Sequence, residues 1–97
     1  VIEIKSIIQS KKECYFCKTI YNLQEHHCWY GSNRKLADED KLVVWLCVEH
    51  HTGTYGVHGK YGKEKNMELK KIAEEKWIEH YAKTKEDFIK RYGRSVL

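Results

Sequence analysis

The stretch 41-KLVVWLCVEHHTGTYGVHG-59 decides how the chain must fold. Lys41–Cys47 is rich in β-branched and aromatic residues and apolar on both faces, which reads as a buried strand. A helical turn begins at Val48. The glycines at 53, 56, 59 and 62 then call for a loop that is either flexible or rich in left-handed backbone. At the strand-to-turn junction stand Cys47 and His50, separated by two residues; His51 follows at once, and His58 lies beyond the first glycines.

Outward from this junction, the nearest chemical partner is Cys14-Tyr-Phe-Cys17, a tight turn of the kind that offers two thiolates to one metal. Cys14, Cys17, Cys47 and His50 together form a C-x2-C-x29-C-x2-H pattern, the donor set and spacing of a structural Zn²⁺. All four cysteines and five of the six histidines fall between positions 14 and 58, which favours metal over disulfides. Cys28 competes with His50 for the fourth position, although its place in a strand better suits a small buried thiol.

A second histidine pair, His26-His27, stands in "LQEHHCWY", a short strand closed by the turn signal "GSN". Neighbouring strand residues point to opposite faces, so the two imidazoles cannot serve one metal in the same way. A division of labour follows. His26, with His51 and His58, can hold a catalytic divalent ion, and His27 is left as a general base whose ordinary pKa already lies near neutrality.

The remaining sequence frames these two nodes. At 97 residues and net charge +4, the chain reads as a single α+β domain, residues 1–97, with its chemistry in 14–58 and C-terminal helices over 64–93. The opening "VIEIKSIIQSKK" is a strand or an arm, and "ADED" is a polar connection. Asn66 is the expected N-cap of the first C-terminal helix. "TKED" from Thr84 is a capping box with Asp in the Glu position, and Gly93 ends the last helix. With no apolar run long enough to span a bilayer and no signal-peptide pattern, a soluble, intracellular protein is expected.

The pattern C-x-x-C … H-H … L-C-x-x-H-H resembles the HNH nucleases. "HHTGTYGVHG" followed by a helix and "RYG" is similar to small phage-encoded HNH proteins and to phage recombination-enhancing nucleases. The resemblance implies a zinc-stapled ββα-metal core of hairpin and helix, phage or prophage origin, and action in the cytoplasm of a bacterial host. It implies a metal-dependent DNA endonuclease that hydrolyses phosphodiester bonds. The catalytic ion (Mg²⁺, Mn²⁺, Ni²⁺ or Zn²⁺) would lie on His26 and His51, with His58 available to it, and His27 would be the base.

Family members often carry an asparagine before the second knuckle to orient that base. Here the position is near Leu42, so Asn33 is the candidate; alternatively Asn33 only favours its turn. Arg34, Lys35, Lys60 and Lys63 are the expected phosphate contacts. A nuclease with one active site often dimerises to cut both strands, so a homodimer or a recombination or replication protein is an expected partner, with Trp29, Tyr30 or Trp77 at the interface. The competing reading is a non-catalytic zinc-binding module for DNA or protein, whose histidines all serve structure.

Overall fold

A two-stranded antiparallel sheet organises the protein, whose computed structural model describes residues 6–97. The first residues of the expected N-terminal strand or arm, 1–5, lie outside the described residues. Strand β1 (Leu23–His27) pairs with β2 (Val43–Cys47) in a register that sets Leu23 opposite Cys47 and His27 opposite Val43. Between them run a 3-10 turn (Gly31–Asn33) and helix α1 (Arg34–Glu39). The "ADED" segment is therefore mostly helix rather than a connection. Helix α2 (Val48–His51) is a single turn, and α3 (Lys63–His80) and α4 (Lys85–Tyr92) complete an α+β fold.

β2 is buried at Val43, Val44, Leu46 and Cys47, as its doubly apolar sequence requires. Its edge away from β1 is occupied by residues 6–15, which form no strand but satisfy its backbone groups. Ser6 Oγ donates to the Val43 carbonyl (2.6 Å), the Trp45 amide donates to Gln9 Oε1 (2.7 Å), and the Tyr15 amide donates to the Trp45 carbonyl (2.9 Å). The polar groups that an open edge would present to another chain are thereby filled.

The core joins the hairpin to the C-terminal helices. Trp29, Leu42, Leu46, Leu69 and Phe88 are essentially inaccessible, and Phe88 stacks on Tyr92 with 4.4 Å between ring centroids. Trp29 and Trp77 both pack on Phe88. They are core residues, not the interface aromatics that the sequence suggested; Tyr30 alone of the three is exposed. Cys28 is fully buried in this core, where burial pushes its thiol pKa up. On α3, the buried positions Leu69, Ala73 and Trp77 recur every fourth residue and form one stripe toward the hairpin.

The helix ends differ from expectation in one case. Asn66 is not an N-cap: α3 already starts at Lys63, and the Asn66 amide donates to the Gly62 carbonyl (2.9 Å) as an ordinary helical residue does. Thr84 does form the capping box. Its hydroxyl accepts from the Asp87 amide, the Asp87 carboxylate accepts from the Thr84 amide, and Gly93 closes α4 with a left-handed φ of 91°.

A buried carboxylate holds the helices in place. Asp40, just past α1, accepts from Trp77 Nε1 (2.9 Å), the Tyr92 hydroxyl (2.7 Å), and Arg91 through Nε (2.6 Å) and Nη2 (2.9 Å). The Tyr81 hydroxyl donates to its backbone carbonyl at 2.9 Å. Every donor comes from α3 or α4 or their ends, so one side chain fastens both helices to the hairpin connection. Among the described residues, no helix is long and apolar enough to cross a membrane.

Removing one partner of such a network strands the others without hydrogen bonds in the interior. Asp40→Asn should cost about 2–3 kcal/mol and lower the melting temperature by about 10–20 °C, read by circular dichroism. An unchanged melting temperature would show that the helices dock without this anchor.

Candidate metal and histidine centre

The two donor nodes expected from the sequence are both assembled, and α2 separates them. Cys47 ends β2 with extended backbone (φ −70°, ψ 162°), and the single turn Val48–His51 follows. Residues three apart on a helical turn share a side, so Cys47 and His50 converge. Residues one apart diverge by about 100°, so His51 points elsewhere.

Cys14, Cys17, Cys47 and His50 bring one ligand atom each within 4.8 Å of one another, and this group could hold a metal such as zinc. Tetrahedral bonds to zinc of about 2.3 Å from sulfur and about 2.05 Å from nitrogen imply S···S and S···N separations of about 3.8 and 3.6 Å. Cys17 Sγ lies 3.8 Å from Cys47 Sγ, and Cys14 Sγ lies 3.6 Å from His50 Nδ1. The Cys47 Sγ to His50 Nδ1 distance, 3.1 Å, is shorter than that ideal. Burial disfavours a Cys14 thiolate, but backbone N–H groups of Cys17, Cys47 and Phe16 converge on its sulfur and lower its pKa to about 6. None of the four cysteines is in a disulfide. Cys28, embedded in the core, does not belong to the group, so His50 is its fourth member.

His26, His51 and His58 form the second node, their ligand nitrogens also within 4.8 Å of one another and their ring centroids 4.9–5.3 Å apart. His26 is buried, and its Nε2 has no hydrogen-bond partner. An orphaned buried imidazole nitrogen is costly unless something else fills its lone pair. Burial, followed by the neighbouring imidazoles His58, His51 and His27 and by Lys70, depresses its pKa to about 3 and keeps the ring neutral. Burial and His58 lower the His51 pKa in the same sense.

Gln24 supplies what the sequence reading missed on this face. It lies two residues before His26 on β1, hence on the same side of the strand. Its Oε1 is 2.7 Å from His51 Nδ1, which must carry the proton, leaving the lone pair of His51 Nε2 free to bind a cation. The same alternation could have flagged Gln24, but only with the hairpin register in hand. Lys70 was likewise missed; its Nζ lies 4.9 Å from the Tyr30 ring, which in turn packs on His58.

The glycine-rich coil delivers His58, though not by the backbone expected. None of Gly53, Gly56, Gly59 and Gly62 has a positive φ. Each amide of Gly56, Gly59 and Gly62 donates to the glycine three residues earlier, at 2.8–3.2 Å. Side chains are excluded by close approach: a Cβ on Gly59 would overlap the Gly53 carbonyl oxygen, and one on Gly62 that of Gly56. The coil folds back on α2, and the His58 amide donates to the His51 carbonyl at 2.9 Å, bringing the two imidazoles together.

His27 lies on the opposite face of β1, as neighbouring strand residues must. Its Nε2 is 3.2 Å from Asp38 Oδ1 and 3.8 Å from Glu25 Oε1. Asn33 does not orient it. Instead, the Asn33 side-chain Nδ2 donates to the Tyr92 carbonyl (3.1 Å) and ties the turn to α4. The α1 helix inserted between the strands turns Asp38 back over His27, a contact that a separation of eleven positions conceals from sequence inspection. The end of β1 therefore lies between two settings. His27 shares an open cleft of about 280 Å³ with His26, His51, His58 and Arg34, and a neighbouring depression with Asp38, Arg34 and Lys35. Lys60 and Lys63 line neither; both are exposed on the far end of the coil and the start of α3.

No protein-family model, curated protein or solved structure matches the chain.

Cobalt substitution distinguishes the donor sets. Co²⁺ at the sulfur node should give the charge-transfer and tetrahedral d–d bands of a three-thiolate, one-imidazole site. Cys28→Ala should keep those bands, whereas Cys17→Ser and His50→Ala should weaken or shift them and lower the melting temperature by about 10 °C or more. Bands that survive His50→Ala but vanish with Cys28→Ala would reverse the assignment.

Proposed function

We propose that the protein is a metal-dependent DNA endonuclease of the HNH type, with a zinc-stapled ββα-metal core formed by β1, β2 and α2. The observation that carries this reading is the split of His26 and His27. One imidazole is buried beside two others with an unpartnered nitrogen, and its neighbour is held by a carboxylate at the rim of the same cleft. A purely structural zinc domain needs four donors, and the sulfur node already provides them. Three further converging imidazoles and a paired fourth are unexplained by structure alone.

In this mechanism His26 Nε2, His51 Nε2 and His58 would hold a divalent ion. Such an ion supplies Lewis acidity toward the phosphate and offsets the charge that grows on the departing 3′-oxygen. The protein's own groups do the rest. His27 takes the proton from the attacking water. Asp38 accepts from Nε2–H of His27, which leaves Nδ1 as the basic nitrogen and fixes the ring, the role Asn33 cannot fill. Gln24 does the same for His51. Arg34 and Lys35, at the rim beside His27, neutralise flanking phosphates. Lys60 and Lys63 contact the strand farther from the scissile bond.

Conversion of supercoiled plasmid to nicked circles, with Zn²⁺-loaded protein and added Mg²⁺, Mn²⁺ or Ni²⁺, tests the assignment. His27→Ala should slow nicking by about 10²–10⁴-fold. Asp38→Ala should slow it about 10- to 100-fold, and Asp38→Asn, whose amide oxygen still accepts, should recover most of the loss. Equal nicking by wild type and His27→Ala would remove His27 from the chemistry. A wild type that binds DNA but does not cut with any of these ions would leave the non-catalytic zinc module standing.

A further inference from the structure

The coil that carries His58 also presents two tyrosines that the core does not use. Tyr55 and Tyr61 are 62 % and 54 % exposed, yet their rings are stacked on each other, 5.2 Å between centroids and 25° between planes. The Tyr61 amide donates to the Thr54 carbonyl at 3.0 Å, so the backbone itself sets the two residues side by side. The glycine contacts that exclude side chains from this coil also limit its freedom to rearrange. The pair is therefore preorganised, and both residues remain more than half exposed to solvent.

Positive charge accompanies it. Lys60 Nζ lies 5.3 Å from the Tyr61 ring centroid, and between Thr52 and Lys65 the chain has three lysines, at 60, 63 and 65, against the single acid Glu64. An exposed aromatic pair with an ammonium group beside it and further lysines close in sequence matches a nucleobase with its adjoining phosphates. It does not match a base pair inside a duplex, whose faces are covered by their neighbours and whose edges alone are accessible. His58 stands midway between the two tyrosines in sequence, and three residues span at most about 11 Å. That reach equals about three nucleotides of a stacked strand at 3.4 Å each.

We propose that the Tyr55–Tyr61 pair is a stacking seat for an unpaired base, and that the strand entering the histidine cleft is single-stranded DNA. The proposal rests on the nuclease reading for the identity of the cleft, and it adds the strand state of the substrate. Tyr30 packs on His58 with 5.2 Å between ring centroids and has Lys70 Nζ 4.9 Å from its own ring, which adds a partly exposed ring and a cation beside the cleft.

The test is a binding measurement that needs no cleavage. Fluorescence anisotropy with labelled oligo(dT) and a hairpin duplex of equal length would use Zn²⁺-loaded protein in the His27→Ala background. Oligo(dT) should bind at least about tenfold more tightly than the duplex, and Tyr55→Ala and Tyr61→Ala should each weaken oligo(dT) binding about tenfold. Tyr55→Phe and Tyr61→Phe, which keep the π-face, should bind as the parent does. Both tyrosines are exposed, and unchanged zinc content and circular dichroism would confirm that the alanine variants fold. Alanine variants that bind like the parent, a duplex bound as tightly as the single strand, or no binding of oligo(dT) would overturn the seat. Failure of the nuclease reading shows separately, as absence of nicking by the wild type, and leaves this binding comparison intact.

Discussion

Two adjacent histidines on a single helical turn are the constraint from which the rest of the architecture follows. His50 and His51 diverge by about 100°, so the turn that begins at Cys47 cannot send both to one node. One imidazole completes the sulfur group with Cys14, Cys17 and Cys47, and the other meets His26 and His58. A turn of four residues is too short to be stable by its own hydrogen bonds. It is held at its start by β2, on one side by Cys14 and Cys47, on the other by Gln24, and along its backbone by the glycine coil. Displacing the sulfur node must therefore displace His51, and the geometry of the histidine node depends on the knuckle behind it.

The remainder of the chain keeps that turn in register. β1 supplies His26, opposite Val44, and β2 supplies Cys47, opposite Leu23, in a five-residue pairing, and a slip of one residue would exchange His26 for His27 on the buried face. Such a slip is opposed by the core, because Trp29 and Leu42 flank the hairpin and pack under α3 and α4. Those helices in turn are fastened by buried carboxylates. Asp40 gathers Trp77, Tyr81, Arg91 and Tyr92. Glu74 accepts from Ser95 Oγ (2.5 Å) and from the Val96 amide (2.8 Å), closing the segment after α4 onto α3. A small domain with a limited apolar core uses directional contacts to select one arrangement of its helices.

How much of this was legible in the sequence divides by the range of the signal. The knuckles, the buried strand, the capping box at Thr84 and the face alternation of His26 and His27 rest on spacings of two to four residues, which local geometry dictates. The chain start of α3 was misplaced because Asn66 is a good cap by type, while Gly62 takes that position for reasons of backbone approach. Asp38, Gln24 and Lys70 were invisible because their partners are set by the hairpin register, the inserted helix and the packing of α3. The glycines were noticed and misattributed. Their spacing of three serves repeated turns and carbonyl contacts, not left-handed backbone.

The contrast between the neighbours His26 and His27 shows why a strand, rather than a helix or loop, suits the proposed chemistry. Alternation places the two rings in opposite electrostatic settings with no intervening residue. His26 enters a buried group of imidazoles in which protonation is disfavoured by desolvation and by its neighbours, so its lone pair stays available to a cation. His27 emerges between Glu25 and Asp38, whose nearer carboxylate oxygen, 3.2 Å from Nε2, holds the ring in place. In the proposed mechanism one imidazole is a ligand and its neighbour a base, and consecutive strand residues can take these two roles because each faces a different side of the sheet; the end of β1 at His27 is where the cleft reaches both.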